Sequence, residues 1–187
     1  MLIAFHKPYG VLSQFTPDQP GQRTLAEFGF PGDVFPIGRL DQDSEGLILI
    51  GNEREWVNRL LEPRHGHPRT YHVQVEGAPD AEALSRLACG GIDIKGHLTL
   101  PCAARALDPM PDYPPRDPPV RFRKSVPDRW IELVLTEGKN RQVRRMTAAV
   151  GYPTLRLIRV AIGSLRLAPL VAGEWRELTA VDREALG

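Results

Sequence analysis

Residues 36–51, PIGRLDQDSEGLILIG, run from an acid-rich turn straight into an unbroken apolar stretch. LILIG has no polar alternation, so it reads as a buried strand with the acids Asp41, Asp43 and Glu45 at its entrance. Further along, RTYHVQVEG alternates instead, which predicts a half-buried strand with Tyr71, Val73 and Val75 on one side. LIAFHK, DVFPI, CAARAL, WIELVLT, TLRLIRVAIGSL and EWREL supply further strands or extended pieces.

Helices are predicted between them. TLAEF forms a short one. EREWVNRLL follows Asn52 as cap and packs Trp56, Leu60 and, one position off the stripe, Leu61, and AEALSRLA is capped by Asp80 and stopped by Gly90 and Gly91. The last, after EGKN, packs Val143, Met146, Thr147 and Val150 and is closed by Gly151. This irregular interleaving predicts an α+β fold with a mixed, mostly antiparallel central sheet flanked by helices. Residues 109–127 are too proline-rich for ladder pairing and read as a long extended surface loop.

At 187 residues, 42% apolar and 25% charged, the chain suits one domain over 1–187 or two closely fused halves. The opening MLIAFHKPYG is too short an apolar run for a signal peptide, and no later stretch is long enough to span a membrane. Cys89 and Cys102 lie far apart without a CxxC pattern, so two reduced, half-buried thiols in a cytoplasmic protein are expected.

The acidic turn admits several chemistries. Asp41, Asp43, Glu45 and Gly46 match the first positions of a calcium loop, but Asn52 stands where the bidentate glutamate belongs. An aspartate-nucleophile phosphatase would need a long apolar strand before the acid and further acids for magnesium, and GRL offers neither. HGH at 65–67 with His72 lacks the cysteines or helical spacing of a zinc site. No metal is expected.

What remains is an acid acting on a nucleic acid. The net charge of +1 conceals a segregation: residues 1–60 carry 5 Lys+Arg against 8 Asp+Glu, and residues 121–159 carry 10 against 3. A near-neutral chain with one basic segment can hold a polyanion locally. Arg141 and Arg145 are spaced as neighbours on a helix, with Lys139 and Arg144 beside them. Like charges at that spacing cost about 0.2–0.5 kcal/mol, which a bound anion would repay. A helix opening just after Gly138 would also direct N–H groups at a phosphate.

HKPYGVLS, GRLDQDSEGLILI, RTYHVQVEG and EGKNRQVRRMTAAVG, in this order, resemble the RsuA-type pseudouridine synthases over nearly the whole chain. Within that family, YPPRDPPVRFRKSVP and GYPTLRLIRVAIG are similar to the branch acting on large-subunit ribosomal RNA. The resemblance implies the pseudouridine synthase fold with an active-site cleft across its middle. It makes Asp41 the catalytic aspartate, Tyr71 the active-site tyrosine, Arg144 the partner of the aspartate and Leu157 the apolar residue by the target base. Arg39, Lys139, Arg141 and Arg145 are left to hold flanking phosphates. It further implies a monomer whose partner is ribosomal RNA, with no cofactor. Many relatives carry an N-terminal RNA-binding domain of the S4 type, whereas here the first catalytic strand begins at Leu2.

These residue types suit the reaction. Pseudouridine formation breaks the N1–C1′ bond of uridine, turns the uracil and joins C5 to C1′, so no group or electron enters or leaves. Positive character at C1′ can be stabilised or captured by a carboxylate, or the carboxylate can take the 2′ proton. Keeping that acid ionised in a dry pocket calls for a nearby arginine. Reaching C1′ in folded RNA calls for extruding the nucleotide.

Overall fold

The computed structural model describes residues 1–62, 65–120 and 126–186. In chain order the strands are β1 (Leu2–Lys7), β2 (Val11–Leu12), β3 (Arg23–Thr24), β4 (Phe35–Ile37), β5 (Glu45–Gly51), β6 (Arg69–Glu76), β7 (Ala103–Ala106), β8 (Asp128–Leu135), β9 (Thr154–Ile162), β10 (Leu165–Arg166) and β11 (Trp175–Glu177). The α-helices are α1 (Arg54–Leu61), α2 (Ala81–Cys89), α3 (Gln142–Ala149) and α4 (Ala180–Glu184). None of these helices is long and apolar enough to cross a membrane. The chain forms two compact units, Met1–His67 with Ile158–Gly187, and Pro68–Leu157.

In the first unit β1 pairs antiparallel with both β11 and β5. The other edge of β5 is shared: β9 joins it in parallel at Glu45 and Gly46, and β4 joins it antiparallel from Leu49 to Gly51. β10 turns back on β9, and β2 and β3 form a small parallel ribbon of their own. Every residue of β5 is buried, which is why its sequence shows no alternation. Phe5, Phe28, Phe30 and Trp175 close the core as an aromatic cluster, with ring centroids 4.8–6.4 Å apart. At Gly46, φ is +105° and an added Cβ would lie 2.3 Å from the Arg159 carbonyl oxygen, so only glycine lets β9 approach β5 here.

The second unit is built on β8, flanked by antiparallel β6 and β7. The register sets Tyr71 opposite Leu133 and Val73 opposite Ile131 on one buried face, while buried Trp130 faces the other side opposite Gln74. α2 packs beside β7 and begins where the Ala83 N–H donates to Asp80 Oδ1 at 2.8 Å. Of these strand pairings among the described residues, six are antiparallel and two parallel, in an α+β fold.

TLAEF does form the expected short helix, of the 3-10 type, Leu25–Phe28, between the capping box of Thr24 and Glu27 and left-handed Gly29. Several local expectations are corrected. Asn52 does not cap α1; Glu53 occupies that position, and Asn52 Oδ1 accepts from the N-terminal ammonium instead. Trp56 and Leu60 are buried, but Leu61 is 42% exposed, because it lies one residue off their stripe. Cys89 is exposed and only Cys102 half-buried, where burial, with Glu137 nearby, pushes its thiol up to about 11. α3 opens at Gln142, three residues later than expected, and Val150 is half-buried just past its end. The proline-rich stretch ends at β8, whose first residue is Asp128, and its residues 121–125 lie outside the described residues.

Candidate active site

Asp41 sits half-buried at the first corner of the turn that leads into β5, where the Ser44 N–H donates to the Asp41 carbonyl at 3.0 Å. That turn is tied to the segment after β1. The Gly10 N–H donates to Gln42 O at 2.8 Å, and the Gln42 amide returns a bond to Gly10 O. The Ser13 hydroxyl donates to Leu40 O at 2.7 Å and accepts from the Leu40 N–H at 3.0 Å. HKPYGVLS and GRLDQDSEG are therefore one structure in space, the first motif cradling the second.

At its centre is Lys7, wholly buried, whose ammonium donates to the carbonyls of Pro8, Val11 and Gln42 at 3.0, 2.7 and 3.4 Å. Burial pushes its pKa down to about 7, while the charges of Glu45, Asp43 and Asp41 pull it back up and Arg159 adds to the lowering. Three carbonyl acceptors match the three donors of an ammonium, so the cage is shaped for the charged form. Arg159 is also buried, its Nε donating to Leu47 O at 2.7 Å. The hydroxyl of buried Ser44 has no hydrogen-bond partner among the described residues. Such an orphan costs about 1–3 kcal/mol, which a substrate group or water reaching it would recover. Arg39, next to the turn, is exposed and donates to Gln14 Oε1 at 3.2 Å.

The other predicted residues belong to the second unit. Tyr71 is 9% exposed on β6 and Leu157 is 5% exposed on β9. Arg144 is half-buried on α3. The segment before α3 is a tied turn. Glu137 accepts from the Leu100 N–H at 2.8 Å and from the Gln142 amide at 2.6 Å, and shares a 2.7 Å hydrogen bond with His97. Buried Gln142 also accepts from the Lys139 N–H at 2.9 Å. Burial pushes the Glu137 carboxyl up, but these donors bring it net below its ordinary value.

This turn corrects the helical reading of the basic run. Arg141 precedes the helix with φ at +52°, so Arg141 and Arg145 do not share one helical face. Lys139 and Arg141 are exposed, while Arg145 is half-buried and donates to Asn140 Oδ1 at 2.7 Å. Nor does α3 begin at Gly138: the Gln142 N–H is already satisfied by Lys139 O at 3.0 Å.

Reading the sequence alone missed Lys7, Ser13, Glu137 and Gln142 as builders of the two turns. Each lies inside a motif that carried the resemblance, which was the available signal. No group of three or more His, Cys, Asp or Glu residues is arranged to hold a metal among the described residues.

Comparison with known proteins shows the family. A sequence profile for RNA pseudouridylate synthase matches residues 1–149. The ribosomal large subunit pseudouridine synthase E of Xanthomonas axonopodis pv. citri is 60% identical over 171 residues, which cover 91% of this chain and 90% of that protein. The protein of the same name from Xanthomonas campestris pv. campestris is 56% identical over 177 residues, covering 94% of each. Among solved structures, a crystal structure of a pseudouridylate synthase matches 100% of this chain and 73% of its own with a TM-score of 0.81 at 27% identity. The chain belongs to the RNA pseudouridylate synthase family.

Proposed function

We propose that the protein converts one specific uridine of large-subunit ribosomal RNA to pseudouridine, with Asp41 as the reacting carboxylate. The observation that carries the reading is the Asp41 turn. The backbone on either side of half-buried Asp41 is held by the Ser13 bonds to Leu40 and the Gly10 bond to Gln42, and the acid's charge acts on the caged Lys7. A turn this fully tied can present its acid to C1′ of an extruded nucleotide without reorganising. The large-subunit target rests on the names of the two Xanthomonas relatives.

In this reading Asp41 stabilises or captures the positive C1′ as the N1–C1′ bond breaks, or takes the 2′ proton. Tyr71 stacks on the uracil, and Leu157 packs by it. Arg144 supplies the positive charge that favours the ionised aspartate. Arg39, Lys139, Arg141 and Arg145 meet phosphates flanking the nucleotide. Uridine and pseudouridine have the same atoms and oxidation level, so the reaction balances without a cofactor. The enzyme is read as a cytoplasmic monomer.

The test is to map pseudouridines in large-subunit ribosomal RNA from cells with and without the protein, and then with Asp41→Asn restored. One site should vanish without the protein and stay absent with the variant. An unchanged map, or a site restored by Asp41→Asn, overturns the proposal.

A further inference from the structure

The proline-rich stretch does more than bridge β7 and β8. Its part up to Val120 folds back on the second unit. The Leu107 N–H donates to Trp130 O at 2.9 Å, and the Tyr113 hydroxyl shares a 2.6 Å hydrogen bond with His72 Nδ1. The guanidinium of Arg156, from β9, donates to Pro114 O at 2.8 Å. Beneath it lies a cavity of about 240 Å³, lined by Gln74, Tyr113, Arg116, Val120, Trp130 and Arg156, with prolines of the loop and Asp112 completing the wall.

The chemistry of this lining is specific. Tyr113 and Trp130 lie with ring centroids 5.2 Å apart, and the Arg156 guanidinium carbon is 5.8 Å from the Tyr113 centroid. Arg116 is held by the carbonyls of Pro118, Pro119 and Leu155 at 2.8, 3.3 and 3.4 Å. Two planar cations and two aromatic rings are thus already ordered, so stacking against them costs little further side-chain entropy. The Gln74 amide nitrogen donates to Asp128 Oδ2 at 2.6 Å. A carboxylate only accepts, so that bond fixes the amide orientation and leaves Gln74 Oε1 as an acceptor. Exposed Asp112 adds a second acceptor. The volume is below the ~300 Å³ at which pockets begin to hold drug-sized ligands, so it has room for one planar ring system.

We propose that this cavity takes one unstacked nucleobase of the RNA, from a nucleotide other than the one isomerised. The assignment rests on the reading above that the protein acts on RNA. The walls supply stacking planes, the arginines favour the adjoining backbone, and Gln74 and Asp112 accept from an exocyclic amino group. Adenine, guanine and cytosine carry that group; uracil does not. Single-stranded RNA is read through such splayed bases, and this site adds sequence preference away from the chemistry.

The test uses the full chain with hexa-adenylate, hexacytidylate and hexauridylate, and needs no turnover. Wild-type protein should bind the adenylate and cytidylate several-fold more tightly than the uridylate. Tyr113→Ala and the cavity-filling Val120→Trp should each reduce affinity for hexa-adenylate about tenfold, the scale of one base stack, and erase the preference. Tyr113→Phe, which keeps the ring, should stay within about twofold of wild type. Hexa-adenylate carrying 8-azidoadenosine should photo-crosslink in wild type to the peptides of Tyr113 or Trp130. A crosslink elsewhere, or equal affinity of wild type and Val120→Trp, overturns the proposal: the cavity is then a packing void or a seat for a protein segment. Because wild type alone decides the crosslink, a variant that fails to fold does not obscure the result. Binding here without pseudouridine formation would sink the catalytic reading and leave this one standing.

Discussion

The Asp41 turn and the Glu137–Gln142 turn are both short charged loops at the mouth of a regular element, built in opposite senses. In the first a cation is buried: Lys7 ties backbone carbonyls together, with Glu45 buried as well and Asp41 and Asp43 half-buried. In the second an acid and an amide are buried or half-buried: Glu137 and Gln142 tie the backbone, and Lys139 and Arg141 stand exposed. A half-buried acid whose charge acts on a buried lysine is placed where electrostatic interactions are strong, which suits chemistry. Exposed cations on a braced turn act through long-range, salt-screened attraction, which suits docking. Motifs equally rich in charge can therefore be sorted by which charge is buried.

The sharpest way to break this contrast is Asp41→Asn, which keeps size and hydrogen bonding but removes the charge. Turnover, followed by tritium release from uridine-labelled RNA, should fall by at least about 10³-fold while RNA affinity is kept. Retained turnover would make the first turn a scaffold like the second.

Arg144→Ala comes next, because Arg144 stands on the helix behind the docking turn but is read as serving the chemistry. Turnover should fall about 10²–10³-fold, as when one electrostatic stabiliser is removed, with little change in affinity. If affinity falls instead, Arg144 belongs with the docking cations.

Lys7→Met tests the buried cation itself. With its folded pKa lowered to about 7, the folded chain has released a proton that the unfolded chain still holds up to about pH 10.5. Stability should therefore rise with pH across that window, by at most about 1.4 kcal/mol per pH unit from this group. Denaturant midpoints of wild type and Lys7→Met, compared from pH 6 to 10, isolate the contribution. If the two curves run parallel, the three carbonyls and the neighbouring carboxylates hold the ammonium at its ordinary pKa.

The smallest effect is expected from the docking turn. In Arg141→Ala with Arg145→Ala, removing each phosphate interaction should lower the log–log salt slope of RNA binding by roughly 0.7–0.9. The substitution at 141 adds no new backbone strain, since arginine already holds a positive φ there. An unchanged slope would mean that these cations are merely solvated.

The amino-acid order alone reveals which strands are buried on one side and which on both. β6 shows a period of two and β5 none, and both patterns follow from local covalent geometry. It also reveals the acid at the head of β5 and, by resemblance, the family. Helix ends are less legible. Asn52 is a good capping residue whose side chain is taken by the N-terminus, 51 positions away, and no local pattern reports such competition. Arg141 looks helical because charge spacing cannot show that Glu137 and Gln142 brace the backbone into a left-handed corner before the helix starts. Tertiary packing was needed to make Lys7 the buried centre of the Asp41 turn, and to set a proline-rich stretch as the roof of a cavity of aromatic rings and guanidinium groups. One cause underlies both. Burial and hydrogen-bond partnership join residues far apart in the chain, and a sequence pattern carries only the nearest few positions.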